Sequence, residues 1–370
     1  MKTILITGGG GFIGSHLADF LLAAGYQVRC LDSLVSQVHD GEPERPAYLD
    51  PAVEFIRGDI TDRAAVRQAL LGVDAVVHFA ARVGVGQSMY EMAEYTATNN
   101  FGTAILMEEL MRRPLARLVV ASSMSIYGEG LYRDRHGSFV QGSERPLEQL
   151  KRQQWEPFDD EGTPLEPLPT PEHKVPSLSS IYALSKFDQE RMCLITGRTY
   201  GIPTVALRFF NVYGPRQALS NPYTGVLAIF SSQLMRGRAP EVFEDGLQRR
   251  DFVHVSDVAR ACMLALESED IAGEVFNIGS GRDVSIREVA EKLAAVIGVD
   301  LKPKITGKYR AGDIRHCFAD ITRARTLLGY QPQVDLESGM RDLASWLQTQ
   351  IVAAEMPDAS AELQERGLTV

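Results

Sequence analysis

Cysteine is scarce in this chain: four among 370 residues, at positions 30, 193, 262 and 317, with no paired spacing. That scatter argues against a disulfide scaffold or a Cys-rich zinc module, and it fits a reducing compartment. A basic excess is absent too. The 48 acidic side chains outnumber the 38 basic ones, and a net charge of −10 argues against a nucleic-acid groove, which needs a concentrated basic stripe. No apolar run approaches bilayer-spanning length, and the opening "MKTILIT" is too short for the apolar region of a secretory signal. These absences predict a soluble, cytoplasmic protein with no membrane or nucleic-acid partner. What remains is ordinary globular composition, 45% hydrophobic and 23% charged. It suits one large α/β domain with a smaller second lobe.

Short apolar runs alternate with helical patterns along the chain. "KTILIT", "YQVRCLD", "VEFIRGD", "DAVVHFAA", "LARLVVASS", "TVALRFFN" and "GEVFNIGS" read as strands. Between them, "FIGSHLADFLLAAG", "TDRAAVRQALLG" and "AEYTATNNFGTAILMEELMRR" read as helices. Several strands are apolar throughout, which indicates a parallel sheet covered on both faces. The expected fold class is α/β: a Rossmann-type doubly wound parallel sheet with a smaller C-terminal substrate-binding domain. Residues 1–212 with 248–280 are expected to form the first domain and 213–247 with 281–350 the second, leaving 351–370 as a peripheral tail. Residues 130–177 are rich in proline, glycine and charge, and this composition predicts an irregular lid.

"TGGGGFIG" follows the first strand and opens the first helix, spacing Gly8, Gly11 and Gly14 as G-x-x-G-x-x-G. Glycines let the backbone turn tightly and approach a pyrophosphate, which the helix N-terminus attracts. Asp32 closes the second strand 18 residues after Gly14, near the place of an acid that binds ribose hydroxyls. A carboxylate there repels a 2′-phosphate, so NAD is favoured over NADP. Asp59, in "RGDI", suits either an adenine pocket or a helix cap. Farther along, "SSIYALSK" places Tyr182 and Lys186 one helical turn apart on the same face. Ser122, Ser123 and Ser125, in "ASSMSIYG", sit at the C-terminal end of a parallel strand, where ligands bind in open α/β sheets.

With these motifs stand "HFAA", "NNFGT", "LRFFNVYGPRQ", "RRDFVHVSDVARA", "FNIGSG" and "RAGDIRHCFADITRARTLLGYQP". Together they resemble the extended short-chain dehydrogenase/reductase superfamily, in its NAD-dependent nucleotide-sugar epimerase/dehydratase branch, from Met1 to about residue 350. The resemblance implies a catalytic set of Ser123, Tyr182 and Lys186. Ser123 would hydrogen-bond the sugar hydroxyl, Tyr182 would act as general base and acid, and Lys186 would bind nicotinamide ribose and ease Tyr182 ionisation. A free phenol, with a pKa of ~10, is a poor base at neutral pH unless cations stabilise its phenolate. The resemblance extends the cofactor site to Phe12, Ile13, Ile60, Ala80, Ala81 and Asn99, and assigns Asn211, Arg250, Arg310 and Asp313 to the nucleotide diphosphate or its sugar. His78, His254 and His316 have neither metal spacing nor a base role. Relatives imply a homodimer paired through the helices of Asn99 and Tyr182, with Leu106, Leu110, Phe187 or Leu194 near the interface.

Dehydratases in this family carry adjacent Asp and Glu after the Ser/Thr position, where this chain has Met124 and Ser125. Neither side chain performs acid–base work near neutral pH, so epimerisation at C4 through a 4-keto sugar is the expected reaction. "NPYTGVLAIFSSQL", "FEDGLQRRDFVHV" and the "WEP...TPE" insert most resemble dTDP-L-rhamnose 4-epimerases, with UDP-hexose or UDP-uronate 4-epimerases as the alternative. Some relatives carry two Cys-x-x-Cys-Gly knuckles in the insert, where this chain reads "RDRHG" and "FDDEG". Arg, His, Phe and Glu do not make a zinc site, so no metal is assigned. A non-catalytic NAD-sensing or scaffold protein on the same fold is the reading from another class. Loss of Ser123, Tyr182 or Lys186 would mark it, and all three are present.

Overall fold

Strand β1 (Thr3–Thr7) is third from one edge of a seven-stranded sheet, with β2 (Gln27–Asp32) and β3 (Glu54–Arg57) on that side. On its other side lie β4 (Ala75–His78), β5 (Arg117–Ser123), then the strands Thr204–Phe209 and Val275–Ile278. Every neighbouring pair is parallel. The computed structural model describes residues 2–39, 44–113, 115–218, 225–310 and 312–350. The expected tail (351–370) and the "NPYT" of the rhamnose-epimerase resemblance lie outside them.

Alternation along each strand divides the core. Ile4, Ile6, Val28, Cys30, Val77 and Val119 face the helices α1 (Phe12–Ala23) and Val255–Glu267. Leu5, Leu31, Val76, Leu118 and Val120 face helices Arg63–Ala69 and Gly102–Leu110 and the second half of the long helix Ile181–Tyr200. Both faces are dry, which is why these strands read as continuous apolar runs. Ser180 caps the long helix by accepting from Ala183 N at 3.1 Å, and Gly201, with φ of 70°, ends it. A third cluster joins helices Val226–Met235, Ile286–Ile297 and Leu336–Gln350.

The segment 130–177 corrects the expectation of an irregular lid. Strands Leu131–Arg133, Phe139–Gln141 and Glu166–Leu168 form an antiparallel sheet, followed in sequence after the second strand by helix Leu147–Lys151. Two aspartate-organised turns sit in "RDRHG" and "FDDEG": Asp134 accepts from His136 N and Ser138 N, and Asp159 from Glu161 N and Thr163 N. Arg135 and His136 of the first turn pair with Glu161 of the second. Charge here serves packing. Arg145, nearly fully buried, donates to Glu244 at 2.8 and 3.1 Å, while Arg315 binds Glu156, Glu244 and Asp245. Composition predicted an irregular lid because it does not show which carboxylate meets which guanidinium.

The dimer residues also need correction. Leu106 and Leu110 are fully buried against the sheet and have no surface to offer a partner.

Candidate active site

The chain order reverses between β1 and β4, and the crevice at this switch point holds a cavity of about 490 Å³. Gly8 leaves β1 with φ of 71° and donates to Leu31 O at 2.8 Å, tying the loop to β2. A Cβ on Gly14 would lie 2.4 Å from the Gly8 carbonyl, and one on Gly9 2.2 Å from Cys30 Sγ. The loop is therefore pressed flat onto the sheet, and only glycine permits it. Gly11 precedes α1 without a side-chain cap, so the first turn keeps its N–H groups for an anion. Asp32 accepts from Gly10 N at 3.0 Å and Leu34 N at 2.9 Å, and its carboxylate lines the same cavity. This cradle fits a dinucleotide: a bare backbone for the diphosphate and a carboxylate for a ribose.

Gly8, Gly11, Phe12, Ile13, Gly14, Asp32, Asp59, Ile60, Ala80 and Ala81 all line the cavity, as do Ser123, Tyr182, Lys186 and Asn211. Asp59 also accepts from Thr61 N and Oγ1, while the helix cap itself is Asp62. Asn99 stands behind the wall. It accepts from Arg82 N at 2.7 Å and donates to Ser185 Oγ at 2.9 Å, bracing the segment after β4 against the helix of Tyr182. A π-helical turn over Thr96–Phe101 carries it, interrupting a helix that the periodicity reads as regular. Arg250, Arg310 and Asp313 do not reach this cavity. Arg250 donates to the carbonyls of Arg249, Ile314 and Arg315, and Arg310 stacks over Phe243 at 4.7 Å. The main chain of Asp313 accepts from Arg145 at 3.0 Å.

Ser123 ends β5, and its hydroxyl accepts from Ser125 N at 3.2 Å and Ser125 Oγ at 2.8 Å. Tyr182 is held by Tyr95 in an edge-to-face contact, ring centroids 6.4 Å apart, and by its own N–H on Ser88 Oγ. Burial raises its phenol pKa, and a hydrogen bond with Ser123 pulls the other way. Burial lowers Lys186 to about 8, and its ammonium donates to Gln189 Oε1 at 2.6 Å. The phenol, the hydroxyl and the cation thus share one water-poor corner. A cation there stabilises phenolate, so the trio can move a proton to and from a bound hydroxyl. Met124 and Ser125, buried behind Ser123, do not line the cavity. Sequence reading passed over Arg82, Gln87, Gln217 and Phe252, which also line it, because isolated polar or aromatic residues carry no spacing signal.

Comparison with known proteins agrees with this geometry. Residues 4–279 match the model of the NAD dependent epimerase/dehydratase family. A dTDP-L-rhamnose 4-epimerase of Burkholderia thailandensis is 34% identical over 351 residues, covering 94% of this chain and 95% of its own. A crystal structure of UDP-glucose 4-epimerase with UDP-glucose from Thermotoga maritima has a TM-score of 0.77 at 31% identity, covering 95% of this chain and all of that one. UDP-glucuronic acid 4-epimerase from Bacillus cereus, in complex with UDP-glucuronic acid and NAD, has a TM-score of 0.76 at 28% identity, over 94% of this chain and 100% of its own. A glycine loop that admits no side chain, in a chain matched nearly end to end by such enzymes, means that this protein belongs to the NAD dependent epimerase/dehydratase family and uses NAD.

Proposed function

We propose that this NAD-dependent epimerase inverts C4 of a nucleotide-diphosphate sugar, converting dTDP-L-rhamnose to dTDP-6-deoxy-L-talose. The observation that carries the reaction is the meeting of Ser123, Tyr182 and Lys186 in the glycine-loop cavity, with no carboxylate pair after Ser123. The choice of sugar rests on the Burkholderia thailandensis relative. UDP-hexose or UDP-uronate 4-epimerisation is the second reading, favoured by the names of the similar solved structures. A non-catalytic NAD sensor would have no use for the three residues kept together.

In this reading Tyr182 takes the proton from the sugar's O4, Lys186 stabilises the phenolate, and Ser123 orients the hydroxyl by hydrogen bonding. Bound NAD supplies a reversible acceptor for the C4 hydride. Inversion then requires the 4-keto ring to turn about its link to the diphosphate, so the protein must hold the nucleotide firmly and the sugar loosely. Asn211, whose buried side-chain oxygen has no partner among the described residues, is assigned to the substrate; Arg250, Arg310 and Asp313, outside the cavity, are proposed for the nucleotide diphosphate or its sugar on the family resemblance alone. Dehydration would need an acid and a base beyond Ser123, which Met124 and Ser125 cannot supply. The working form is proposed to be a cytoplasmic homodimer. Exposed Phe101, Leu184 and Ile195 support that surface on the helices of Asn99 and Tyr182.

Purified protein offered a panel of dTDP- and UDP-sugars should interconvert two C4 epimers from either direction without added NADH. No 4-keto-6-deoxy product should accumulate, and in deuterated water no deuterium should enter C4 or C5. Deuterium at C5 would sink the simple 4-epimerase mechanism. Tyr182→Phe should lower turnover by at least ~10²-fold with NAD still bound, because the ring packing survives and only the acid–base group is lost. Turnover within tenfold of wild type would show that another group is the base.

A further inference from the structure

Lys186 is almost fully buried, and among the described residues no carboxylate pairs with it. Among the described residues the side-chain acceptor of its ammonium is Gln189, one helical turn on, at 2.6 Å. The orientation of that amide follows from its other side. Gln189 Nε2 lies 3.3 Å from the Ala80 carbonyl, which only accepts, and 2.9 Å from Thr103 Oγ1. Thr103 gives its own proton to Asn99 O, so its oxygen only accepts from the amide. The nitrogen must therefore face Ala80 and Thr103, and the oxygen must face Lys186. Behind Thr103, Thr7 Oγ1 accepts from Ala80 N and lies 2.7 Å from His78 Nδ1, and His78 Nε2 lies 2.9 Å from Thr103 Oγ1 and 3.3 Å from Gln189 Nε2. Thr7, His78, Thr103 and Gln189 are all buried. The whole anchor runs from β1 and β4 to the helix of Asn99 and ends on the lysine.

We infer that Gln189 is a positioning residue for Lys186: a neutral, immobilised acceptor that holds the ammonium at Tyr182 without neutralising it. The inference rests on the proposed role of Tyr182 as the base. A buried cation needs a hydrogen-bond acceptor, and a carboxylate would supply one while cancelling the field that favours phenolate. A primary amide supplies the dipole and leaves the charge whole. The other titratable groups around Lys186 leave it whole too. His78 is neutral, pushed down to about 3 by burial and by Lys186 itself. Cys193, on the same helix, stays a thiol because burial pushes it up to about 12. Glu190, next to Gln189, is turned away and held by Arg208 at 2.9 and 2.7 Å. Burial lowers Lys186 to about 8, with Glu190 and Cys193 acting the other way.

The test is Gln189→Glu in the NAD-loaded protein, which keeps the size and the acceptor, adds a charge and gives up the amide donors to Ala80 and Thr103. Titration of Tyr182 is read as phenolate absorbance, taken as the difference from the matching Tyr182→Phe protein. It should move upward by about one pH unit, with turnover at neutral pH falling about tenfold and KM within threefold. Gln189→Leu, which removes the acceptor, should shift the titration in the same direction. A merely structural glutamine would leave the Tyr182 titration in place, so a Gln189→Glu protein that titrates and turns over like wild type overturns the inference. If Tyr182→Phe itself remains active, the base reading fails instead, and the two failures are distinguishable.

Discussion

Removing the carboxylate of Glu244 should loosen the insert from the rest of the protein. Glu244 is 2% exposed and lies 99 residues from Arg145 in sequence. It accepts from both terminal nitrogens of Arg145, at 3.1 and 2.8 Å, and from Arg315 Nη1 at 2.8 Å. In Glu244→Ala the two arginines fare differently. Arg315 keeps Glu156 and Asp245, so its charge remains compensated. Among the described residues Arg145 keeps only the carbonyls of Trp155 and Asp313 and a carboxylate, Glu129, at 3.7 Å. Breaking a buried pair from one side costs roughly 3–5 kcal/mol, because an uncompensated charge stays behind. The surviving partners place this case at the lower end, about 3 kcal/mol. The backbone of Glu244 has φ of 52°, a strain alanine shares, so the difference reports the side chain. Urea denaturation gives the free energy, and limited proteolysis between residues 134 and 162 shows whether the insert opens first. Glu148→Ala, at the exposed Glu148–Lys151 pair, is the control and should leave the midpoint in place. A loss below about 1 kcal/mol for Glu244→Ala would refute the reasoning, since it would mean the arginines are solvated.

Gly14→Ala should yield protein without bound NAD, because its Cβ would press on the Gly8 carbonyl; full NAD content after purification would contradict the cradle. Acid stability should carry the mark of Glu156. Burial raises that carboxyl, but hydrogen bonds from His316 and Arg315 prevail and hold it down at about 2. The folded protein therefore binds fewer protons than the unfolded chain, and the stability present above about 4.5 is lost as pH falls toward 2. With its partial exposure the contribution is roughly 1–3 kcal/mol. Glu156→Gln should flatten the acid limb of the stability curve, and an unchanged slope would assign it elsewhere. Light scattering should give a dimer mass that Leu184→Glu converts to a monomer. A monomeric wild type at micromolar concentration would end the dimer proposal.

Local chemistry carried much of this protein in legible form. The glycine loop is a backbone requirement, so its spacing shows in sequence wherever a chain must touch a diphosphate. The Tyr182–Lys186 separation is one helical turn, and the alternate faces of β1, β4 and β5 are apolar because both meet helices. These signals span a few residues each. What tertiary structure alone decided depends on partners far apart in the chain. The insert reads as an irregular lid because charge favours solvent until each guanidinium finds a buried carboxylate, and Arg315 finds Glu156 across 159 residues. Leu106 and Leu110 differ from Phe101 only in which side of one helix the sheet covers, and a π-turn shifts that phase by a fraction of a turn. Gln189 and Glu190 are neighbours with exchangeable sizes, yet one meets Lys186 and the other Arg208. A helix sends adjacent side chains about 100° apart, and only the packing around it determines that the neutral group faces the cation beside Tyr182.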